Sequence, residues 1–256
     1  MGLDPYYTWP VIGALLGLYL LGGFVKGAAA FGQPLVTVSL AAMFMPVPIA
    51  IGISVIPSIL VNLIQGYASR QAAPRLPRYW PFYLALIIGI LIGLRIFSML
   101  DQGALQVIIG CLLIVFSAVQ LSGLTPPLSP PPRAPVLAAT GLVSGLLAGT
   151  TSFVAFPSLP VFIAYGLDRR LFALVTSVMF TITLLMVGGG LTVLGLIGRS
   201  ELVMGLVCCI PSYLGQRVGL AVRERMSVSA LSILVNIILA LIGVTFLVRN
   251  FAKMLF

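Results

Sequence analysis

The chain contains no histidine and only five acidic residues in 256 positions: Asp4, Asp101, Asp168, Glu201 and Glu224. All five fall at the ends of apolar runs. Serine–histidine or metal-dependent hydrolysis needs groups that are missing here. The expectation is therefore no enzyme, no catalytic residue, no metal site and no cofactor. An intramembrane proton relay normally uses a buried Asp, Glu or His, and a cation site would want a carboxylate. Whatever this chain handles is expected to be anionic or neutral.

Cysteine is also sparse. Cys111, Cys208 and Cys209 all lie in apolar runs without Cys-x-x-Cys spacing, which suits small buried hydrophobes better than a redox or metal centre. Charge is scarce as well, at 7% of residues against 60% hydrophobic. A soluble domain carries roughly 25% charged residues, so lipid is the expected solvent. At about 20 apolar residues per crossing, the length leaves room for roughly eight to ten helices and no soluble domain. Continuous apolar runs without alternation argue against a barrel.

The net charge of +9 does not point to nucleic acid, because the basic residues flank the apolar runs and line no polar face. That is the distribution of the positive-inside rule. Asp4 and Trp9 precede the first run, with no basic region and no clear cleavage site. A first membrane helix is expected there, not a removed signal peptide.

Apolar runs between breakers give ten segments, at 9–30, 34–48, 49–69, 80–99, 103–123, 135–150, 153–167, 171–197, 201–222 and 228–248. The second and seventh are short for a full span, and whether they cross or re-enter is open. The stretch from Thr125 to Arg133 is rich in proline, cannot be helical and reads as a linker. The expected organisation is a first repeat over 1–124, a linker over 125–134 and a second repeat over 135–256.

Two breaks mark the repeats. The first reads Ala30-Phe31-Gly32-Gln33-Pro34 after Gly23 and Gly27; the second reads Gly149-Thr150-Thr151-Ser152-Phe153 after Gly141 and Gly145. Non-helical backbone inside hydrocarbon is tolerated only against protein or a water-filled cavity. Paired breaks in two halves point to a transporter's binding site. Gly23 and Gly27 recur as Gly141 and Gly145, 118 residues on, and Gly89 and Gly93 recur as Gly215 and Gly219, 126 residues on. Five segments per half is an odd number, so the second half is expected upside down. One face then collects Arg70, Arg75, Arg78, Arg133, Arg169, Arg170, Arg223 and Arg225, and the other only Arg199, Arg249 and Lys253. Both termini fall outside the cytoplasm in that topology. The fold expected is all-α, with about ten transmembrane or re-entrant segments in two inverted repeats and broken helices at the midplane.

The donors next to the breaks are the candidate substrate-binding residues: Phe31, Gly32, Gln33, Thr150, Thr151, Ser152 and Phe153. Backbone N–H groups at a restarting helix attract an anion without a formal cation. Each hydroxyl has an alternative, bonding back onto its own helix, and each phenylalanine can simply pack. Asn62 and Gln65, on one face of the third segment, either glue helices or line the cavity. Lys26, Arg95 and Arg217 fall inside segments, where they either snorkel to headgroups or attract the anion.

The run Gly23-Phe24-Val25-Lys26-Gly27-Ala28-Ala29-Ala30-Phe31-Gly32 resembles the N-terminal signature of the sulfite exporter TauE/SafE family. Asn62 to Gln65, Gly89-x-x-x-Gly93 with Leu100-Asp101 and Leu105, and the second-half stretch from Gly141 to Arg170 are similar to it as well. The pattern departs where Ser39 replaces a late proline and Pro34 appears earlier. The resemblance implies movement of a small sulfur-containing anion, such as sulfite, sulfoacetate or another organosulfonate, across the bacterial inner membrane, and rocking of the two halves around the breaks is expected to give alternating access. A passive anion channel and a non-transporting assembly factor are the alternatives. The expected partners are the small anion and the bilayer, with a homodimer left open and no nucleic acid.

Overall fold

The computed structural model describes residues 7–29, 31–123, 128, 132–223 and 228–255. Its α-helices, in chain order, are α1 (Trp9–Ala29), α2 (Gln33–Ala41), α3 (Val47–Ala68), α4 (Trp80–Phe97), α5 (Gln102–Ser122), α6 (Ala134–Thr151), α7 (Ala155–Ala164), α8 (Arg169–Val193), α9 (Arg199–Arg223) and α10 (Val228–Leu255). Seven spans among the described residues are long and apolar enough to cross a membrane. The chain is an all-helical membrane protein, and each expected segment is present with ends shifted by a few residues. Of the expected linker, residues 125–127 and 129–131 lie outside the described residues, as do Asp4, Glu224 and Arg225.

Local chemistry sets the ends. Asp101 caps α5 by accepting the Ala104 N–H at 2.8 Å, and Asp168 caps α8 by accepting that of Leu171 at 3.2 Å. Each satisfies an N–H that the first helical turn leaves unpaired. At the first break Gly32 has φ of 101°, a conformation that costs glycine little, and Pro34 sits in the first turn of α2, where its missing N–H does no harm. At the second break Ser152 takes φ of 62° and closes α6.

The two short helices, of 9 and 10 residues, are about 14–15 Å long at 1.5 Å per residue. That is half of a hydrocarbon core of about 30 Å. Phe156 is extended inside α7 and shortens its regular part further. Lys26 near the end of α1 is level with Asn62 near the end of α3. The start of α3 is level with Glu201 through Gly52. The chain from Phe31 to Pro46 therefore doubles back, with α2 as a half-length return helix.

Sequence reading missed one element, the 3-10 segment Arg70–Tyr79 between α3 and α4. Its prolines, Pro74 and Pro77, hide a helical period. It lies against the start of α8, where Arg75 pairs with Asp168 and Arg170 donates to Gln71. The Arg75 guanidinium, and next the Leu171 N–H, hold the Asp168 carboxyl below its usual range. A depressed carboxyl adds stability above its unfolded value near 3.8 and loses it as pH falls below. Both partners are half-exposed, so solvent keeps that contribution small.

Glycines set the helix crossings. The most extensive interfaces join α4 to α6, α1 to α9 and α5 to α10. A Cβ on Gly23 would sit 2.1 Å from the Ser212 carbonyl oxygen, and one on Gly27 would sit 2.2 Å from that of Gln216. In the other seam, Gly145 meets the carbonyl of Leu86 and Gly149 that of Ile90, at 2.2 and 2.3 Å. These backbones touch directly, as small-residue membrane interfaces allow. The order of the contacts makes α1 parallel to α9 and α4 parallel to α6. Gly66 against Ser177 and Gly188 against Val55 make α3 antiparallel to α8. Gly103 beside Asn250 and Gly110 beside Gly243 make α5 antiparallel to α10.

The same contacts correct the repeat spacing. Gly23 on Ser212 matches Gly145 on Leu86, and Gly27 on Gln216 matches Gly149 on Ile90. The equivalent of Gly23 is thus Gly145, 122 residues on, and not Gly141. A small residue at every fourth position lets a sequence alignment slip by one turn, and the contacts remove the ambiguity. The spacing of 126 holds for α4 and α9, where Gly89 on Leu142 matches Gly215 on Leu20.

Gly145→Ala and Gly215→Ala should each lower the melting temperature of the detergent-purified protein, since overpacking costs about 1–3 kcal/mol. Gly17→Ala, with nothing within 4 Å of the added carbon, should leave it unchanged or raise it. Equal behaviour of the three variants would mean that the seams do not hold the helices together.

Candidate functional site

Lys26 is 2% exposed and sits on the last turns of α1. Its Nζ donates to Asn62 Oδ1 at 2.7 Å and lies 5.2 Å from the centre of the Phe180 ring. The only ion pair among the described residues is Arg75 with Asp168, so a neutral amide and an aromatic face hold this buried ammonium. An uncompensated buried cation is expensive, and intramembrane ionisable groups are functional by default. Snorkelling, the bland reading of Lys26, does not describe it.

A cavity of about 780 Å³ opens beside Lys26. Phe31 of the first break, Gln65 of α3, Gln216 of α9 and Arg169, Arg170 and Arg223 also line it. The glutamines are anchored to backbone: Gln65 Nε2 donates to Ala173 O at 3.1 Å and Gln216 Nε2 to Val61 O at 3.4 Å. The arginines lie at the start of α8 and the end of α9. The cavity is a positively charged vestibule on the arginine-rich face, with Lys26 at its inner end. Among the described residues no carboxylate lines it.

The meeting of the two breaks is a different place. Pro34 and Ser39 of α2 and Thr151, Ser152 and Phe153 of the second break surround a cavity of about 20 Å³. That is room for about one water molecule, too little for an oxyanion. Thr150 donates to Leu146 O at 2.8 Å and Thr151 to Leu147 O at 2.7 Å. Both hydroxyls bond back onto α6, the alternative open for them in the sequence. Ser152 Oγ is buried without a partner. Gln33 turns away from this cavity and donates to Ser212 Oγ at 3.1 Å. Phe153 packs edge-on against Phe116, with ring centres 5.5 Å apart.

The structure thus gathers Lys26, Phe31, Asn62 and Gln65 and sets them apart from Thr150, Thr151 and Ser152. Gly32 positions the break without lining the vestibule. Arg95 and Arg217 are exposed and belong to neither cavity. Sequence reading singled out Arg217 for its charge and passed over Gln216, its buried neighbour. Gln216 lies one residue from Gly215, on the flank of α9 pressed against α1, so the glycine spacing held the missed signal. Phe180, Ser212 and the vestibule arginines had no local signature.

Glu201 departs from the expectation of acids solvated at helix ends. It is 4% exposed. Its oxygens accept from Gly198 N at 2.7 Å, Ser200 Oγ at 3.0 Å and Tyr7 Oη at 3.1 Å. It is a buried, saturated cap of α9. Among the described residues no three of His, Cys, Asp and Glu come together.

Asn62→Leu should lower the melting temperature sharply, because it strips a buried ammonium of its acceptor and an unpaired buried group costs about 1–3 kcal/mol or more. Lys26→Met/Asn62→Leu should recover most of the loss, and a double-mutant cycle measures the coupling. Additive effects in that cycle would dissolve the pair.

The sequence model of the sulfite exporter TauE/SafE family matches residues 15–246, nearly the whole chain. Neither the comparison with curated proteins nor that with solved structures gives a match.

Proposed function

The chain belongs to the sulfite exporter TauE/SafE family, and on that premise we propose that it carries a small sulfur oxyanion, sulfite or an organosulfonate, by alternating access. One observation carries the reading: a buried lysine with no carboxylate partner among the described residues, at the inner end of an arginine-lined vestibule. The arginines raise the local concentration of anions. An anion reaching Lys26 neutralises a charge that the protein otherwise holds with one amide and one ring. Asn62 then orients both, accepting from the ammonium while its own N–H groups are available to the ligand.

Alternating access is favoured over a passive channel because no vestibule residue comes from the face where α1 and α9 begin. The antiparallel α3 and α8, equivalent in position, support reading the halves as inverted repeats. The concentration of arginine on one face supports assigning that face to the cytoplasm of an inner membrane, with both termini on the other side.

Purified protein should gain thermal stability with sulfite, sulfoacetate or thiosulfate, and less with sulfate or chloride. Lys26→Met should weaken binding of the best ligand about tenfold or more, on the scale of 1.4 kcal/mol. Arg95→Gln, Arg217→Gln and Thr151→Val should leave affinity unchanged. If none of these anions stabilises the protein, the transport reading falls; if Lys26→Met binds normally, the site lies elsewhere.

A further inference from the structure

Beyond the vestibule, a column of buried polar side chains continues into the first half. Lys26 is level with Asn62. Both α1 and α3 run parallel to α9, so a turn earlier Gly22 is level with Ser58 and a further turn earlier Tyr19 with Ser54. Thr37 and Gln33 of α2 press against Gly22. Gln33 donates to Ser212 of α9. Tyr19 lies beside Thr37 and Cys208. Tyr19, Gln33, Thr37, Ser58 and Ser212 are 0% exposed and Ser54 is 1% exposed. Three of their oxygens, Gln33 Oε1, Ser54 Oγ and Ser58 Oγ, have no hydrogen-bond partner among the described residues, and Tyr19 Oη meets Thr37. Buried polar groups are normally satisfied, so a cluster left open in one place calls for a reason.

The second half supplies the control. At the spacing of 122 the equivalents of Tyr19, Lys26, Gln33, Thr37, Ser58 and Asn62 are Gly141, Ala148, Ala155, Leu159, Phe180 and Leu184. At 126, Ser212 corresponds to Leu86. Only Ser54 has a polar counterpart, Thr176, and that hydroxyl bonds its own helix through Phe172 O at 2.8 Å. At these matching positions the equivalent helices pack in the same way with apolar side chains in all but one place, so the fold does not require the column.

We infer that the substrate's path runs between α1, α2, α3 and α9, from Lys26 along Ser58, Gln33, Ser212, Ser54 and Tyr19, and not through the meeting of the two breaks. This rests on the transport reading and adds a second, charge-free subsite to it. Lys26 captures the oxyanion, and neutral O–H and N–H donors replace its hydration shell one turn at a time on the way to the opposite face. Weak neutral donors suit a step from which the anion must also leave.

Cysteine accessibility in vesicles tests this. In a variant with Cys111, Cys208 and Cys209 replaced by Ala, single Ser54→Cys and Ser58→Cys substitutions are exposed to 2-sulfonatoethyl methanethiosulfonate. That reagent is membrane-impermeant and is itself an organosulfonate. Ser117→Cys and Ser144→Cys replace hydroxyls equally buried and unpartnered but off the column. The column cysteines should react more than about tenfold faster than these controls, and sulfoacetate should abolish the difference. Inert column cysteines in protein that sulfoacetate still stabilises would overturn the path while leaving the transport reading intact. So would faster, sulfoacetate-protected labelling at Ser152→Cys. Rapid column labelling that no sulfur anion slows would uphold the path and count against the proposed substrate class.

Discussion

The arrangement depends on backbone-to-backbone contact at glycine. In lipid, association between helices has no hydrophobic drive, so closeness must come from shape. Gly23, Gly27, Gly215 and Gly219 bring α1 and α9 together without side chains between them, and Gly89, Gly93, Gly145 and Gly149 do the same for α4 and α6. Residues flanking these rows are thereby fixed in register to within a turn. Lys26 beside Gly27, and Gln216 beside Gly215, reach the vestibule because the seam between them has no thickness of its own. The candidate site is built beside one of the closest helix contacts in the molecule, the kind of support a precise polar constellation needs.

Much of the fold was legible in the sequence. Long apolar runs bounded by proline, glycine and charge marked ten segments, and the short second and seventh segments matched the half-length helices α2 and α7. Arg70–Tyr79 escaped because prolines within a basic stretch look like a loop, whereas a 3-10 turn tolerates them. The repeat spacing slipped by one turn for a related reason: Gly141, Gly145 and Gly149 are interchangeable as letters and are told apart only by the carbonyls they meet.

The site was less legible. Donors at a break read identically whether they face a ligand or their own helix, and Thr150 and Thr151 face their own helix. Lys26 kept two readings in the sequence, snorkelling or anion attraction, because its acceptor lies 36 residues away. Exposure, which separates Lys26 from Arg95 and Arg217, is a property of packing that no local pattern encodes. The contrast between the column's polar residues and the mostly apolar residues at the matching positions became readable only once the contacts had set the spacing.

The tightest interfaces also cross between the repeats: α1 belongs to the first and α9 to the second, and α4 and α6 divide in the opposite sense. The halves of the sequence are therefore not the packed units of the structure. Neither repeat buries its glycine rows within itself, so each is an incomplete solid, like one hand of a clasp. Severed at the proline-rich linker, the two pieces would have to find one another before either took its native shape, and any rocking motion must carry α1 with α9 and α4 with α6.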